Sequence, residues 1–428
     1  MRFSRLADWL GWQEQAHPRS IDLGLERVTA VWRRLRPQGM PCPVITVGGT
    51  NGKGSCVTLL DAILSAAGYR TGRYLSPHLL DYRERIQCAG QQVSEAALCA
   101  TFDRIDQARG DISLTYFEFG TLAALDLFAQ AGLDIAILEV GLGGRLDAVN
   151  LLDADLALIS SVGMDHRDWL GDSLDQIARE KAGILRRGRP AIIGQPDAPP
   201  ALMAEAERLG ARPFLAGRDF GWERDEHAWH WQGPQRRRRS LPIPSLRGDH
   251  QLHNAAAVLM ALDCLEARFP VGQDALRQGL LRARLPGRFQ VQPGPVTWIL
   301  DVAHNVPASR TLGANLRSLP PTGSTHAVFG CLRDKDASGI LAELSHLVQH
   351  WYLAQLDGAR AMPPEQINQA LHLAGMDTLA GSYPRVADAL AAAEAAARPG
   401  DRILVTGSFL TVADALRYLE DSGRLDPL

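Results

Sequence analysis

Lys53 sits in the run Gly48-Gly49-Thr50-Asn51-Gly52-Lys53-Gly54-Ser55, where residue types and spacing suit the binding of an anion. Glycines let successive backbone N–H groups converge on one phosphate, the N-terminus of a following helix adds its dipole, and a lysine adds a full charge. The spacing is not the standard Walker string. That string has a glycine where this chain has Val47 and a hydroxyl where it has Gly54. The hydroxyl comes one place later, at Ser55. The run from Thr50 to Ser55 is expected to hold phosphate.

Other residues could share that chemistry. Glu139 lies inside the apolar run Leu133 to Val140. An unpaired carboxylate there would be costly, so it is paired, protonated or bound to a cation. Mg²⁺ prefers carboxylates and retained waters, which favours a metal role. Ser76, before Pro77, either satisfies a turn or offers a hydroxyl to the same ion. His166 follows the apolar run Leu156 to Val162; its expected place near Lys53 and Glu139 favours a ligand over a structural histidine. Lys181 is either a surface lysine or part of this site. Asn254 either caps an alanine-rich helix or reads an adenine edge with its amide. Further on, Asp301-Val302-Ala303-His304-Asn305, Cys331 to Asp336 and Thr406-Gly407-Ser408 are polar clusters at the ends of apolar runs. The glycines at 141, 143 and 144 make no dinucleotide fingerprint, because Leu146 stands where the last glycine is needed.

Positioning these groups requires strands that end at one edge. Val44 to Val47 reads as a short buried strand, and Leu59, Leu60, Ile63, Leu64 and Ala67 repeat at helical spacing up to Gly68. Residues 1–36 read as two short helices, and Pro37 to Pro43 as a stiff linker. Apolar runs alternating with helices argue for an α/β fold with a mostly parallel sheet covered on both faces. Ligands of such sheets bind at the carboxyl ends of the strands. Leu285-Pro286-Gly287-Arg288 looks like a hinge, after which strands and helices alternate again, so domains 1–286 and 287–428 are expected.

Composition excludes other classes. A net charge of −3 argues against nucleic acid or a membrane surface as partner. Arg236 to Arg239 form a basic run, read as a solvated hairpin edge because no stacking platform accompanies it. No apolar run is long enough to span a bilayer, and no signal peptide is recognised. The six cysteines include no C-x-x-C pair and fit reduced thiols in a cytoplasmic protein.

Seven motifs together resemble the folylpolyglutamate synthase family, most of all its bacterial bifunctional dihydrofolate synthase form. They are Gly49 to Ser55, Leu75 to Leu79, Leu138 to Asp147, Asp165-His166, Arg179 to Gly183, Leu285 to Phe289 and Asp301 to Asn305. The family belongs with the Mur ligases. The resemblance implies a P-loop ATPase-like domain with a modified phosphate loop, joined to a C-terminal Rossmann-like α/β domain. It implies that Thr50, Asn51, Gly52 and Lys53 cradle ATP, and that Ser76, Glu139 and His166 hold Mg²⁺. Lys181 would be carbamylated, and Asn254, Arg288 and Asp301 would contact ATP. Asp22, Leu23, Gly24, Thr115, Tyr116, Phe117, Glu118, Leu146, Asp147 and Ala148 would line a pterin site. Gly48 and Val149 depart from the family's usual alanine and threonine. His304 and Ser408 are the candidates near glutamate. The implied substrates are dihydropteroate, reduced folates and L-glutamate, with the protein acting as a monomer.

Overall fold

The computed structural model describes residues 1–319 and 323–425. The chain folds as two compact units. One comprises Met1–Gly163, Arg167–Ser245 and Gln251–Arg284; the other comprises Met164–His166, Leu246–His250 and Leu285–Leu428.

The first unit is built on strands β1 (Val44–Gly48), β2 (Thr71–Tyr74), β3 (Ile86–Cys88), β4 (Gln91–Gln92), β5 (Ile135–Glu139), β6 (Leu156–Ile159), β7 (Pro190–Ile193) and β8 (Arg212–Leu215). Their order is β4-β3-β2-β5-β1-β6-β7-β8. From β2 to β8 in that order the strands pair in parallel, whereas β3 and β4 form an antiparallel edge. The central strands β1, β5 and β6 are buried at every residue, as expected of strands covered on both faces. The helices Leu6–Gln13 and Glu26–Leu35 cover one side with Glu95–Arg109 and Tyr116–Gln130. Trp9, Trp32, Phe102, Phe119 and Phe128 fill that layer. Asp126, fully buried, is gripped there by Arg36 and Arg104, each at 2.6 Å.

A small antiparallel sheet of β9 (Gly221–Arg224), β10 (Trp229–Gln232) and β11 (Arg237–Leu241) follows. The basic run enters its outer strand β11, exposed as the hairpin reading required. Trp231 anchors the sheet by donating its indole N–H to Ala256 O on the helix Asp249–Leu265.

The second unit carries β12 (Gln290–Gln292), β13 (Thr297–Leu300), β14 (Thr325–Phe329), β15 (His350–Ala354), β16 (Leu379–Tyr383) and β17 (Arg402–Thr406). The order is β12-β13-β17-β14-β15-β16, parallel except at β12. Phe289, Ile299, Phe329, Trp351 and Leu404 are in its core. The edge strands β3, β4, β12 and β16 were not anticipated. They are short or half-exposed and lack a continuous apolar run.

Candidate nucleotide and ligase site

The phosphate loop leaves β1 and enters the helix Lys53–Ala66 through Gly52, whose φ of +84° is left-handed. A side chain at Gly52 would also strike Asn254, since a Cβ would lie 2.6 Å from Asn254 Oδ1. Asn254, itself buried, donates from Nδ2 to Gln251 Oε1 at 2.9 Å. The residues after β6 brace the loop: Thr50 N donates to Ser161 O, Asn51 N to Ser161 Oγ, and Ser160 Oγ to Asn51 O. Thr50 Oγ1 donates to Gly163 O and accepts from Gly163 N. Lys53 Nζ folds over the turn toward Gly49 O at 3.1 Å and Thr50 O at 3.2 Å. Gly54 and Ser55 occupy the buried first turn of the helix.

The neighbouring strand ends carry the carboxylate and hydroxyl. Val47 pairs with Glu139 in register, and Tyr74 with Leu138. The ends of β1, β5 and β2 therefore lie side by side. Glu139 is only 5% exposed, and its Oε2 accepts the Ser76 backbone N–H at 3.0 Å. A carboxylate beside a serine hydroxyl is a donor set of oxygens, which suits a hard divalent cation. No group of three or more His, Cys, Asp or Glu side chains is placed to hold a metal among the described residues. The expected set contains two such side chains, Glu139 and His166, with a hydroxyl as the third.

The residues after β5 turn back onto the helix Leu174–Ala182. A Cβ at Gly144 would lie 2.8 Å from Glu180 O, so only glycine permits this approach. Arg145 N donates to Glu180 O, and its side chain meets Glu180 at 2.8 Å. Lys181 on that helix is 3% exposed, which removes the surface-lysine alternative. Asp147 is buried and accepts from Leu142 N and Val149 N. Burial pushes its carboxyl up to about 6, against the backbone donors and Lys53.

The residues expected around a pterin also converge. Gly24 N donates to Leu146 O, tying the Asp22-Leu23-Gly24 segment to the turn that ends in Asp147 and Ala148. Thr115 caps the helix Tyr116–Gln130: its Oγ1 accepts Glu118 N, and Glu118 Oε2 accepts Thr115 N at 2.8 Å. Phe117 packs over the Gly141 backbone and tilts against Tyr74 at 6.2 Å. The Tyr116 ring lies 5.5 Å from the Arg85 guanidinium. Arg27, given no role by the sequence motifs, joins the group by bridging Asp22 at 2.6 Å and Glu118 at 3.2 Å. The signal available was a cation five residues beyond Asp22, on the helix that segment leads into.

His166 groups with the second unit. Its φ of +51° is left-handed, and its N–H donates to Asp165 Oδ1. Asp165 also accepts from Lys335 Nζ at 2.8 Å and Asn305 Nδ2 at 2.8 Å, and lies 3.7 Å from His304 Nε2. Burial opposes its charge, but His166, Lys335 and His304 hold the carboxyl far below the usual range. Lys335 lay in a motif recognised in the sequence, without its partner. Asp301 accepts from Phe289 N and Ala303 N; burial pushes it up to about 6, against Arg288 and those donors. The Arg288 guanidinium lies over the Phe409 ring at 4.9 Å. His304 binds Val302 O through Nδ1, and its ring is 5.7 Å from that of Phe409. Burial lowers its pKa, against the attraction of Asp165. Ser408 caps the helix Phe409–Asp421, and Gly407 N donates to Ala303 O, which brings Ser408 to the end of β13.

A modified phosphate loop on a parallel sheet, in a chain with a second α/β unit, defines the Mur ligase class. Family models for that class match: the Mur ligase middle domain over residues 47–262, and the Mur ligase glutamate ligase domain over 287–409. Dihydrofolate synthase/folylpolyglutamate synthase from Escherichia coli (strain K12) is 45% identical, the alignment covering 97% of this chain and 96% of that protein. The structure of E. coli FolC in complex with DHPP and ADP matches with a TM-score of 0.92 and 45% identity, over 99% of both chains. A bifunctional folylpolyglutamate synthase/dihydrofolate synthase with Mn, AMPPNP and L-glutamate bound matches with a TM-score of 0.90 and 45% identity, over 97% of this chain and 98% of that one. The chain belongs to the dihydrofolate synthase/folylpolyglutamate synthase family.

Proposed function

We propose that the protein is an ATP-dependent amide ligase. It joins L-glutamate to 7,8-dihydropteroate, giving dihydrofolate, and to the γ-carboxylate of reduced folates. The observation that carries this reading is the phosphate loop beside the Ser76–Glu139 pair at adjacent ends of β1, β2 and β5.

A carboxylate does not react with an amine at neutral pH, because oxide cannot leave. The γ-phosphoryl group of ATP therefore passes to a carboxylate oxygen, the bond to the β-phosphate oxygen breaks, and ADP leaves. The amine of L-glutamate attacks the acyl phosphate, the amine proton is lost, and inorganic phosphate departs. Thr50, Asn51, Gly52, Lys53, Gly54 and Ser55 bind the phosphates, and Lys53 spreads the γ-phosphoryl charge during transfer, an electrostatic and positioning task. Asn254, Arg288 and Asp301 contact ATP. Ser76, Glu139 and His166 hold Mg²⁺, which supplies further charge neutralisation when bound. Lys181 reacts with CO₂, losing a proton and becoming a carbamate that supports the ion. Its burial beside the loop after β5 fits that role. Asp22 to Gly24, Thr115 to Glu118, and Leu146 to Ala148 bind the pterin. His304 and Ser408 contact L-glutamate; an uncharged His304 is suited to accept a proton from the attacking ammonium group.

Residues 1–286 would be the ATP- and pterin-binding domain and 287–428 the glutamate-ligase domain, which the matched family models support. The protein works as a monomer in the cytoplasm. No helix among the described residues is long and apolar enough to cross a membrane. The test is ADP release with dihydropteroate and then tetrahydrofolate, each with and without L-glutamate. Release must depend on both the pteridine substrate and glutamate. ADP release indifferent to glutamate would overturn the reading.

A further inference from the structure

The basic run Arg236 to Arg239 divides by the two-residue period of the strand it enters. Arg236 is turned to the body of the first unit: its Nη1 donates to Glu266 Oε1 at 2.8 Å, and its Nε lies 3.4 Å from Asp263. Arg238 pairs in register with the buried Trp231, and its Nη2 donates to Val271 O at 3.4 Å. Arg237 and Arg239 alternate with these and line a groove of about 490 Å³ in the first unit, shared with Arg218, Phe220, Trp222 and Gln232. Arg218 is already paired with Asp219 at 2.7 Å. Among the described residues, the guanidinium groups of Arg237 and Arg239 have no carboxylate or hydrogen-bond partner.

Two unspent guanidinium forks one strand period apart match a ligand whose carboxylates repeat at the same interval. Residues i and i+2 of a strand stand about 7 Å apart on one face. A γ-linked glutamyl chain carries one free α-carboxylate per repeat, and each repeat spans five bonds, about 6 Å when extended. A guanidinium fork binds a carboxylate through two parallel hydrogen bonds. Phe220 and Trp222 give the methylenes of such a chain an apolar wall. Glu223 also lines the groove, but it stands on β9, across β10 from the arginines on β11. That separates the two rows by about 10 Å. The carboxylates of the ligand therefore lie on the β11 side, and Glu223 faces a chain whose amide N–H groups it can accept.

We propose that this groove binds the oligo-γ-glutamyl tail of folates that already carry several glutamates, with successive α-carboxylates on Arg237 and Arg239. The tail, and not the pteridine, is the group recognised. The groove is joined to the phosphate loop through one helix, Asp249–Leu265. Trp222 Nε1 donates to His253 Nδ1 at 3.3 Å, and Asn254, next in sequence, abuts Gly52. The inference rests on the γ-carboxylate reading given above and adds to it a second place where the product is held.

The probe is tetra-γ-L-glutamate, titrated calorimetrically into the full chain. The wild type should bind it, and the affinity should fall as salt is raised, because the pairs are exposed. Arg237→Gln combined with Arg239→Gln should weaken binding at least about tenfold, the loss of two charge-assisted pairs. Its unfolding temperature and its ADP release with dihydropteroate and L-glutamate should match the wild type, since neither arginine belongs to the ligase site. Arg236→Gln removes a charge of the same run that is turned away, and should bind within about twofold of the wild type. No binding by the wild type, equal affinity in the wild type and the double variant, or an equal loss in Arg236→Gln would each overturn the inference. Failure of the wild type to release ADP with tetrahydrofolate and L-glutamate would instead strike the functional reading, whereas an active ligase that leaves the tetramer unbound would sink the groove alone.

Discussion

Replacing Gly52 by Ala tests the geometry of the phosphate loop. Two costs can be worked out. At φ +84° an L-residue loses roughly 1–2 kcal/mol relative to glycine. The new Cβ would sit 2.6 Å from Asn254 Oδ1, so the Asn254 side chain must move, at the expense of its bond to Gln251. That hydrogen bond is worth about 1 kcal/mol. The sum is about 2–3 kcal/mol, or roughly 30- to 150-fold if it falls wholly on ATP binding. The assays are KM for ATP in the ligase reaction, the dissociation constant of AMPPNP, and the unfolding temperature. Because the strained loop lies on the surface of a large unit, most of the loss should appear in nucleotide affinity. The collision is absent when Asn254 is truncated. Gly52→Ala combined with Asn254→Ala should therefore fall short of the sum of the single effects by about 1 kcal/mol, the non-additivity expected of touching residues. Unchanged KM, nucleotide affinity and unfolding temperature in Gly52→Ala would refute the left-handed loop packed against Asn254.

Lys53→Ala should cut turnover on the order of 10²–10³-fold while leaving the unfolding temperature within a few degrees, since the side chain is half-buried and its hydrogen bonds among the described residues go to carbonyls of its own turn; wild-type ADP release would exclude its phosphate role. Chelation of divalent cations should abolish turnover and added Mg²⁺ restore it, and Glu139→Gln should raise the Mg²⁺ concentration for half-maximal rate at least about tenfold, a shift absent if Glu139 only binds the Ser76 N–H. Asp301, raised to about 6 by burial, holds its proton in the folded state where the unfolded chain has lost it. It therefore stabilises the fold fully below the unfolded carboxylate pKa, and that contribution is lost as pH rises to about 6. Relative to Asp301→Asn, the wild type should lose on the order of 3 kcal/mol between about pH 4 and 6 and then level off; a difference that grows in the wild type's favour over that interval in urea unfolding would contradict the assignment.

The chemistry-bearing motifs were legible in the sequence because their constraints are local. A glycine turn, a lysine and a helix start must be contiguous to form an anion cradle, so Gly49 to Ser55 declared itself. Ser173 and Gln176 are spaced for a capping box that opens a helix, and the structure has one. Glu139 in an apolar run forced a choice among a partner, a proton and a cation, and the fold supplied the Ser76 N–H beside it. The parallel strands followed from alternating apolar runs and helices, whereas the edge strands β3, β4, β12 and β16 had too little apolar pattern to register.

What only the tertiary structure decided are pairings across long sequence separation, which no spacing rule encodes. Ser160 to Gly163 brace the phosphate loop because β6 lies beside β1. Lys181 is buried because the helix Leu174–Ala182 meets Gly144, although its own segment reads equally as a surface helix. Arg27 joins Asp22 to Glu118, and Lys335 joins Asp165, through contacts set by packing. Residue types fix what a side chain can donate, accept or carry. Which of those capacities is already spent depends on neighbours brought in by the folded chain, as the Asp165 carboxylate shared by Lys335 and Asn305 illustrates.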